Sequence, residues 1–179
     1  MDSIDPKAIQ ELLDKQAITE ALMRYSRGID RKDYDLLRQH VYWPEAKDDH
    51  VLYEGDVEGM LAFSEQFTRE MPTHHFLGNV LIEMIDATHA FAETYHIAYH
   101  DTAETQGRVN LVLGGRYLDI FEQRGALWRI QQRTVVVDWF TRTPGTADWN
   151  SGLLANIRMR GRAKPADPLY TLHPRGSKA

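Results

Sequence analysis

The chain opens with an apolar repeat that has the period of a helix. Apolar residues recur three and four positions apart from Ile9 to Tyr25, behind an Asp5-Pro6 pair that suits a helix start. A helix over residues 6–29 is therefore predicted, with Gly28 at the position of a C-cap. Asp30 follows directly and stands between this helix and the next.

Two shorter helices are predicted after it. The first spans residues 34–41 and is expected to end near Pro44. The second spans residues 57–70 and is stopped by Met71-Pro72. The stretch between them is mixed in character and favours one short strand around residues 50–53.

After residue 72 the apolar period changes to two, which is the period of a strand. The alternation predicts four consecutive strands over residues 74–86, 90–102, 108–123 and 127–139. The breaks between them have hairpin lengths, so an antiparallel sheet is expected. Helices followed by strands indicate the α+β class. The Gly114-Gly115 pair lies inside a strand and is interpreted as a bulge or a close approach.

The chain changes character after residue 140. A turn-like segment leads to a short helix predicted over residues 150–160, and a Pro-, Gly- and Arg-rich end follows. We divide the chain into one domain, residues 1–142, and a C-terminal extension, residues 143–179, that forms an ordered arm or is partly disordered.

Composition narrows the range of functions. A length of 179 residues is typical of one domain. The net charge of -5 is spread along the chain and argues against a nucleic-acid partner. The absence of cysteine excludes disulfides and a cysteine nucleophile. No apolar run approaches the roughly 20 residues of a membrane span, and the polar start lacks a secretory signal, so a cytoplasmic location is expected.

The chemistry is predicted to reside in a carboxylate and a histidine. Asp30 and His75, brought together in an apolar cavity, could transfer protons without a cofactor. A plain alternative is that Asp30 caps the next helix and that His75 is structural. His96 and His100 are four residues apart on a strand, about 13 Å, which is too far to share one metal ion. A facial triad of Asp30, His75 and His96 is a minor alternative, and we expect no metal.

Further polar residues are candidates for contacts with a substrate. Strand parity places several of them on the faces predicted to border the cavity. For each tyrosine, packing in the core is the alternative. The candidates are His100, His96, His50, Tyr25, Tyr53, Tyr117 and Asn79.

The order of these segments resembles the SnoaL-like branch of the nuclear transport factor 2 superfamily. The resemblance covers residues 5–140 and is carried by YSRGIDRKDY from residue 25, HHFLGN from residue 74, YHIAYH from residue 95 and LWRI from residue 127. It implies a cone-shaped, cystatin-like α+β barrel with N-terminal helices packed on a curved antiparallel sheet. It also implies a homodimer or homotrimer formed through the outer face of the sheet.

Among enzymes of that superfamily, the pattern is most similar to scytalone dehydratase. That family has an Asp after the first helix, a catalytic His in a His-Phe-Ile-Gly segment, and a second His on the sheet. By resemblance these roles fall on Asp30, His75 and His100. The family's tyrosines and its pocket Ser and Asn are not retained, so a different substrate is expected. Their approximate positions here are Ile29, Asp49 or His50, Gly115 and Tyr117.

The resemblance leads to an expected function. The protein is predicted to be a cofactor-independent lyase or isomerase acting on a hydroxylated aromatic or polycyclic small molecule. Elimination of water is the leading reaction, and loss of formaldehyde or isomerisation would use the same groups. The alternatives are a non-catalytic small-ligand carrier and the small subunit of a ring-hydroxylating oxygenase.

Overall fold

The fold has three N-terminal helices and a six-stranded sheet. In the computed structural model, residues 5–105 and 107–174 are described. That description leaves out residues 1–4, 106 and 175–179. The signal-peptide expectation rests partly on residues 1–4, residue 106 lies in a predicted strand break, and residues 175–179 belong to the extension. The elements are α1 Pro6–Arg31, α2 Tyr34–His40, β1 Tyr42–His50, β2 Tyr53–Asp56, α3 Val57–Thr68, β3 Thr73–Met84, β4 His89–Glu104, β5 Gly107–Arg124, β6 Leu127–Pro144, a 3-10 turn Leu153–Asn156 and α4 Leu169–Leu172.

Helix α1 buries only part of its apolar face. Asp5 begins the helix by accepting a hydrogen bond from the Lys7 amide at 3.0 Å. The C-terminal half is buried against the sheet, whereas apolar residues of the first two turns are exposed. The buried residues include Ile18, Ala21, Leu22, Tyr25 and Ile29, and the exposed ones are Ile9, Leu12 and Leu13.

The end of α1 differs from the prediction. The C-cap is Lys32, which adopts a left-handed φ of 56°, and Gly28 lies inside the last turn. Gly28 is needed there for close packing, because a Cβ atom would collide with the Leu37 side chain of α2. Asp30 therefore sits within the last helical turn, where its backbone is held rigidly.

The sheet is curved and unclosed, and its strand order is β2-β1-β6-β5-β4-β3. The four predicted strands form an antiparallel meander from β3 to β6, as expected. The all-antiparallel expectation is wrong at one place, because β1 runs parallel to β6. The long connection through β2, α3 and the meander makes that parallel pairing possible.

The strand predicted around residues 50–53 is instead a hairpin turn between β1 and β2. Strand β1 starts earlier, at Tyr42, and contains Pro44 rather than ending a helix there. Val51 adopts a left-handed φ of 58°, which breaks the extended backbone after His50. His50 and Tyr53 pair across the turn.

Bulges change which side chains face inward. The pairing of β3 with β4 shifts between Leu77 and Val80, so one extra residue enters β3. The parity-based placement of Asn79 beside His75 is therefore wrong, and Asn79 is exposed. The bulge or close approach predicted at Gly114-Gly115 is confirmed by a register shift between those two residues, at which β6 holds the extra residue, Asp138.

The C-terminal extension contains an arm that packs on the end of α1. The predicted helix over residues 150–160 is reduced to a single 3-10 turn, and α4 was not predicted. Asp167 pairs with Arg31 at 3.0 Å, while the Tyr170 hydroxyl donates to Asp33 at 2.8 Å. Lys164 also binds Asp33, at 2.8 Å. The contacts of the arm are therefore made with Arg31 and Asp33, which closely follow Asp30 in the sequence.

The outer face of the sheet is apolar and exposed. This face is where the resemblance places a homodimer or homotrimer contact, and that assembly stays a prediction. Its exposed residues include Phe76, Tyr95, Ile97 and Trp139. No helix within residues 5–105 and 107–174 is long and apolar enough to cross a membrane.

The close approach at Gly115 yields a prediction. A Cβ atom at this position would collide with the carbonyl oxygen of Val136, so Gly115→Ala must displace the β6 backbone. We expect a loss of about 1–3 kcal/mol in the free energy of unfolding, measured by urea denaturation. Gly78→Ala is the matched control, because its Cβ would meet Tyr95 at an ordinary 3.6 Å. Equal stabilities of the two variants would contradict the assignment.

Candidate active site

A cavity of about 200 Å³ lies between the inner face of the sheet and helices α1 and α3. Its walls are mostly aliphatic and aromatic, and its polar groups are concentrated in four histidines. The lining comprises Ile29, Val51, Leu52, Met60, Phe63, Ala98, Leu111, Leu113, Tyr117, Val135 and Val137, the polar Ser64, Thr68 and Thr73, and the histidines His50, His75, His96 and His100.

The predicted Asp30–His75 pair is formed. Oδ1 of Asp30 lies 2.7 Å from Nδ1 of His75, and Oδ2 accepts the His75 backbone N–H at 2.9 Å. The Thr73 hydroxyl donates to Oδ1 at 2.9 Å and accepts a hydrogen bond from the Lys32 ammonium at 3.1 Å. These contacts join the last turn of α1 to the first residues of β3, so the carboxylate has little freedom to rotate.

The environment keeps Asp30 ionised. Burial by itself would raise the pKa of the Asp30 carboxyl, but the hydrogen bonds and charge of His75, together with Thr73, outweigh it and lower the pKa. An ionised carboxylate can only accept, so His75 carries its proton on Nδ1 when neutral, and Nε2 keeps the lone pair. Lys32 is also affected, since burial lowers its pKa to about 8.

His96 and His100 lie on the same face of β4, as strand parity predicted. The ring of His96 stacks on Tyr117 with centroids 4.0 Å apart, and the His100 ring meets His75 edge-on at 5.6 Å. Burial, with repulsion from the neighbouring His75 ring whenever that ring is protonated, lowers the pKa of His96 to about 3 and that of His100 to about 4. Nδ1 of each ring is buried without a hydrogen-bond partner in the described chain. Both rings are therefore neutral.

His50, the last residue of β1, borders the same cavity from near the opposite edge of the sheet to β3. Its Nδ1 lies 3.2 Å from Oδ1 of Asp48, whose side chain is fully buried. The second oxygen of Asp48 accepts the Tyr42 hydroxyl at 2.8 Å. A second carboxylate–histidine pair thus borders the same cavity.

A fully buried arginine lies behind the cavity. Arg133 makes two hydrogen bonds of 2.7 Å to Asp119, and its guanidinium lies 3.9 Å from the ring centroid of Tyr25 and 4.2 Å from that of Tyr117. Burial opposes the Arg133 charge, but Asp119 outweighs that effect and raises the pKa of Arg133 well above its usual value.

Sequence reasoning missed Arg133 and the role of Asp48. Asp119 lies two residues after Tyr117 on β5 and therefore shares its inward face, and an inward carboxylate is a signal that a cation faces it. The matching position on β6 could not be read from parity, because the β5–β6 register shifts between Ile120 and Phe121. Asp48 lies in β1, which begins at Tyr42, whereas the sequence predicts a strand in this region only around residues 50–53.

The remaining predicted residues fall in four places. Tyr117 lines the cavity beneath His96. Tyr25 is fully buried behind it, with its ring 6.4 Å from that of His75. Tyr53 does not line the cavity and donates its hydroxyl to the Asp56 carbonyl at 3.0 Å, because β2 lies beyond the hairpin turn. Asn79 is on the exposed side of the β3 bulge.

The acidic and histidine side chains are arranged in pairs. In the described ranges, no group of three or more such side chains is close enough to hold a metal ion. A facial triad of Asp30, His75 and His96 is not formed, because Asp30 is bound to His75 and His96 stacks on Tyr117.

Comparison with known proteins identifies the family and the fold. A model of the SnoaL-like domain matches residues 10–134, which is most of the chain. The chain belongs to the SnoaL-like domain family. The match includes both carboxylate–histidine pairs and Arg133, and it ends before the C-terminal arm. No curated protein matches the sequence significantly.

Solved structures share the fold of this SnoaL-like protein. A hexachlorocyclohexane dehydrochlorinase, LinA type 2, matches with a TM-score of 0.70 and 17% identity over 79% of this chain and 96% of its own. A Novosphingobium aromaticivorans protein provisionally named a scytalone dehydratase matches at 0.65, with 18% identity over 78% and 94%. A Nostoc punctiforme protein with a cystatin-like fold matches at 0.57, with 16% identity over 70% and 92%. These likenesses establish the cystatin-like fold.

The two neutral histidines make stability depend on pH. The unfolded chain binds protons at these positions as pH falls below about 6.5, whereas folded His96 and His100 resist protonation down to about 3 and 4. Folding stability should therefore decrease between pH 6.5 and 4, by up to about 1.4 kcal/mol per pH unit for each ring.

The measurement is urea denaturation over that pH range, compared with a His96→Gln/His100→Gln double variant. The double variant should lose less stability on acidification. Parallel pH curves for the two proteins would mean that the rings protonate in the folded state.

Proposed function

We propose that the protein is a cofactor-independent lyase or isomerase whose base is His75, oriented by Asp30. The observation that carries the proposal is the 2.7 Å contact between Asp30 and a buried histidine that lines an apolar cavity. Membership in the SnoaL-like family and the shared fold with a dehydrochlorinase and a provisional dehydratase support it. Dehydrochlorination and dehydration are both eliminations, and an elimination can begin with the removal of a proton from carbon.

The proton transfer uses the free nitrogen of His75. Nε2 takes a proton from a carbon of the substrate, and Asp30 stabilises the imidazolium that results. The electron pair of the C–H bond then forms a double bond, and in a dehydration the C–O bond on the adjacent carbon breaks. Because the carboxylate is already fixed by three hydrogen bonds, little reorganisation accompanies the step.

The cavity favours a small, uncharged and partly hydroxylated substrate. A volume of about 200 Å³ slightly exceeds the roughly 150 Å³ that holds benzene, so the enclosed part suits one aromatic ring. Larger ring systems would extend through the mouth past Leu52, which is exposed. The four histidines that line the cavity are hydrogen-bonding groups in an otherwise apolar wall, and they favour a ligand with hydroxyl or carbonyl groups.

Binding without chemistry is the second candidate function, because the same apolar cavity would suit a ligand carrier. Such a carrier would bind its ligand equally well without His75. An oxygenase small subunit, the third alternative, would be expected to co-purify with a large iron-containing subunit.

The test is turnover of a compound panel without added cofactor. The purified protein is incubated with hydroxylated monocyclic and bicyclic aromatic compounds, and products are followed by mass spectrometry. We expect loss of water, loss of formaldehyde or an isomer of unchanged mass. His75→Gln and Asp30→Asn should each lower the rate by at least about 100-fold, since base and orienting group are lost.

The matched control is His74→Gln, because His74 is a neighbouring histidine that is exposed on the opposite face of β3. It should keep the wild-type rate. Ligand binding by every variant with no turnover by any would reject the lyase and support the carrier.

A further inference from the structure

The four cavity histidines are not equivalent. His75 and His50 each have a ring nitrogen next to a carboxylate, at 2.7 Å from Asp30 and 3.2 Å from Asp48. We propose that Asp48–His50 is a second proton-transfer pair, which protonates the leaving group while His75 removes the proton from carbon. This role rests on the proposed function and adds a catalytic acid to it.

The anchoring of Asp48 supports a dedicated role. Its side chain is fully buried, and a buried carboxylate is costly unless its oxygens are satisfied. One oxygen accepts the Tyr42 hydroxyl at 2.8 Å, and that hydroxyl lies 3.4 Å from Nη1 of Arg133. The other oxygen is directed to His50 Nδ1. The only partly exposed member of this chain of contacts is the ring that borders the cavity.

The position of His50 complements that of His75. His50 ends β1 and His75 lies near the start of β3, and three strands, β6, β5 and β4, separate β1 from β3 in the sheet. Both rings nevertheless line one cavity, because the sheet curves around it. A substrate in the cavity would therefore meet a base and an acid that come from different parts of the sheet.

The other two histidines are poorly suited to donate protons. His96 and His100 have no carboxylate beside them, and burial keeps their pKa values at about 3 and 4. At neutral pH they carry no proton beyond the one on the neutral ring. Asp48, by contrast, places a carboxylate 3.2 Å from Nδ1 of His50, which gives that ring a charged partner that His96 and His100 lack in the described chain. The partly exposed His50 ring can also regain a proton from solvent.

The proposed elimination is balanced by these two groups. His75 Nε2 gains the proton from carbon, the C–H electron pair becomes the new double bond, and the bond to the leaving oxygen breaks. The leaving oxygen keeps that bonding pair and takes a proton from the His50 imidazolium, so water departs as a neutral molecule. Exchange with solvent then returns one proton to His50 and removes one from His75.

Two probes separate the acid from the base. Bases open 1,2-benzisoxazole by removing its C3 proton, which breaks the N–O bond and releases a 2-cyanophenolate oxygen. In 5-nitro-1,2-benzisoxazole the nitro group stabilises that phenolate, so protonation of the leaving oxygen matters less. Both are small, uncharged aromatic molecules of the kind that the cavity suits, and the released phenols are followed by absorbance.

The variants are His50→Gln, Asp48→Asn, His75→Gln and the control His74→Gln. His75→Gln should slow both probes by a similar factor of about 100 or more, because both need the base. His50→Gln should slow the unsubstituted probe more, widening the rate ratio between the two probes by about tenfold, and Asp48→Asn should widen it in the same direction. Thermal unfolding identifies any variant that has failed to fold. If one of the His50 and Asp48 variants is unfolded, the rate ratio measured with the other tests the acid role.

An unchanged rate ratio in the folded variants would overturn the acid role of His50 and leave the proposed function intact. Absence of His75-dependent turnover with both probes would overturn the acid role together with the proposed base. A widened ratio, with His74→Gln like the wild type, supports the pair.

Discussion

The inner face of the sheet is organised around one buried cation. The guanidinium of Arg133 is out of contact with solvent and is neutralised by Asp119 on the neighbouring strand. Removing such a partner typically costs about 3–5 kcal/mol, because a charge is left uncompensated in a medium that solvates it poorly. The register of β5 against β6 is therefore constrained by an electrostatic requirement as well as by apolar packing.

The same cation orders the aromatic layer that supports the cavity. The rings of Tyr25 and Tyr117 lie within about 4 Å of the guanidinium, where cation–π attraction adds to their burial. Tyr117 in turn carries the ring of His96, and Tyr25 meets the edge of His75. The polar groups of the cavity thus stand on a rigid aromatic support, which favours the precise placement that proton transfer needs.

Periodicity in the sequence predicted the N-terminal helices and the four-stranded meander, because both depend on local repeats. The Asp30–His75 pair was predicted from its residue types and from the resemblance, whose motifs are spread over residues 25–130. What could not be predicted depends on long-range register. The bulge after Leu77 reverses the side chains of Asn79 and Leu81, and parity has no means of counting an inserted residue.

The parallel pairing of β1 with β6 was missed for a similar reason. β1 contains a proline and the mixed sequence of residues 42–50, so it has no clear alternation of its own. Its place in the sheet is determined by partners about 85 residues later, such as Asp49 with Thr134. The buried Asp48 and the orientation of His50 follow from that pairing.

The hairpin between β1 and β2 places His50 in a different structural setting from the Asp30–His75 pair, and this difference matters for how the site can evolve. Asp30 and His75 are held by a helix end and a sheet strand, where few substitutions are tolerated. His50 stands beside a two-residue turn with an exposed tip, and such turns accept changes of sequence and length readily. Under the proposed mechanism, changes in this one surface turn would alter the group next to the leaving oxygen and leave the Asp30–His75 pair unchanged.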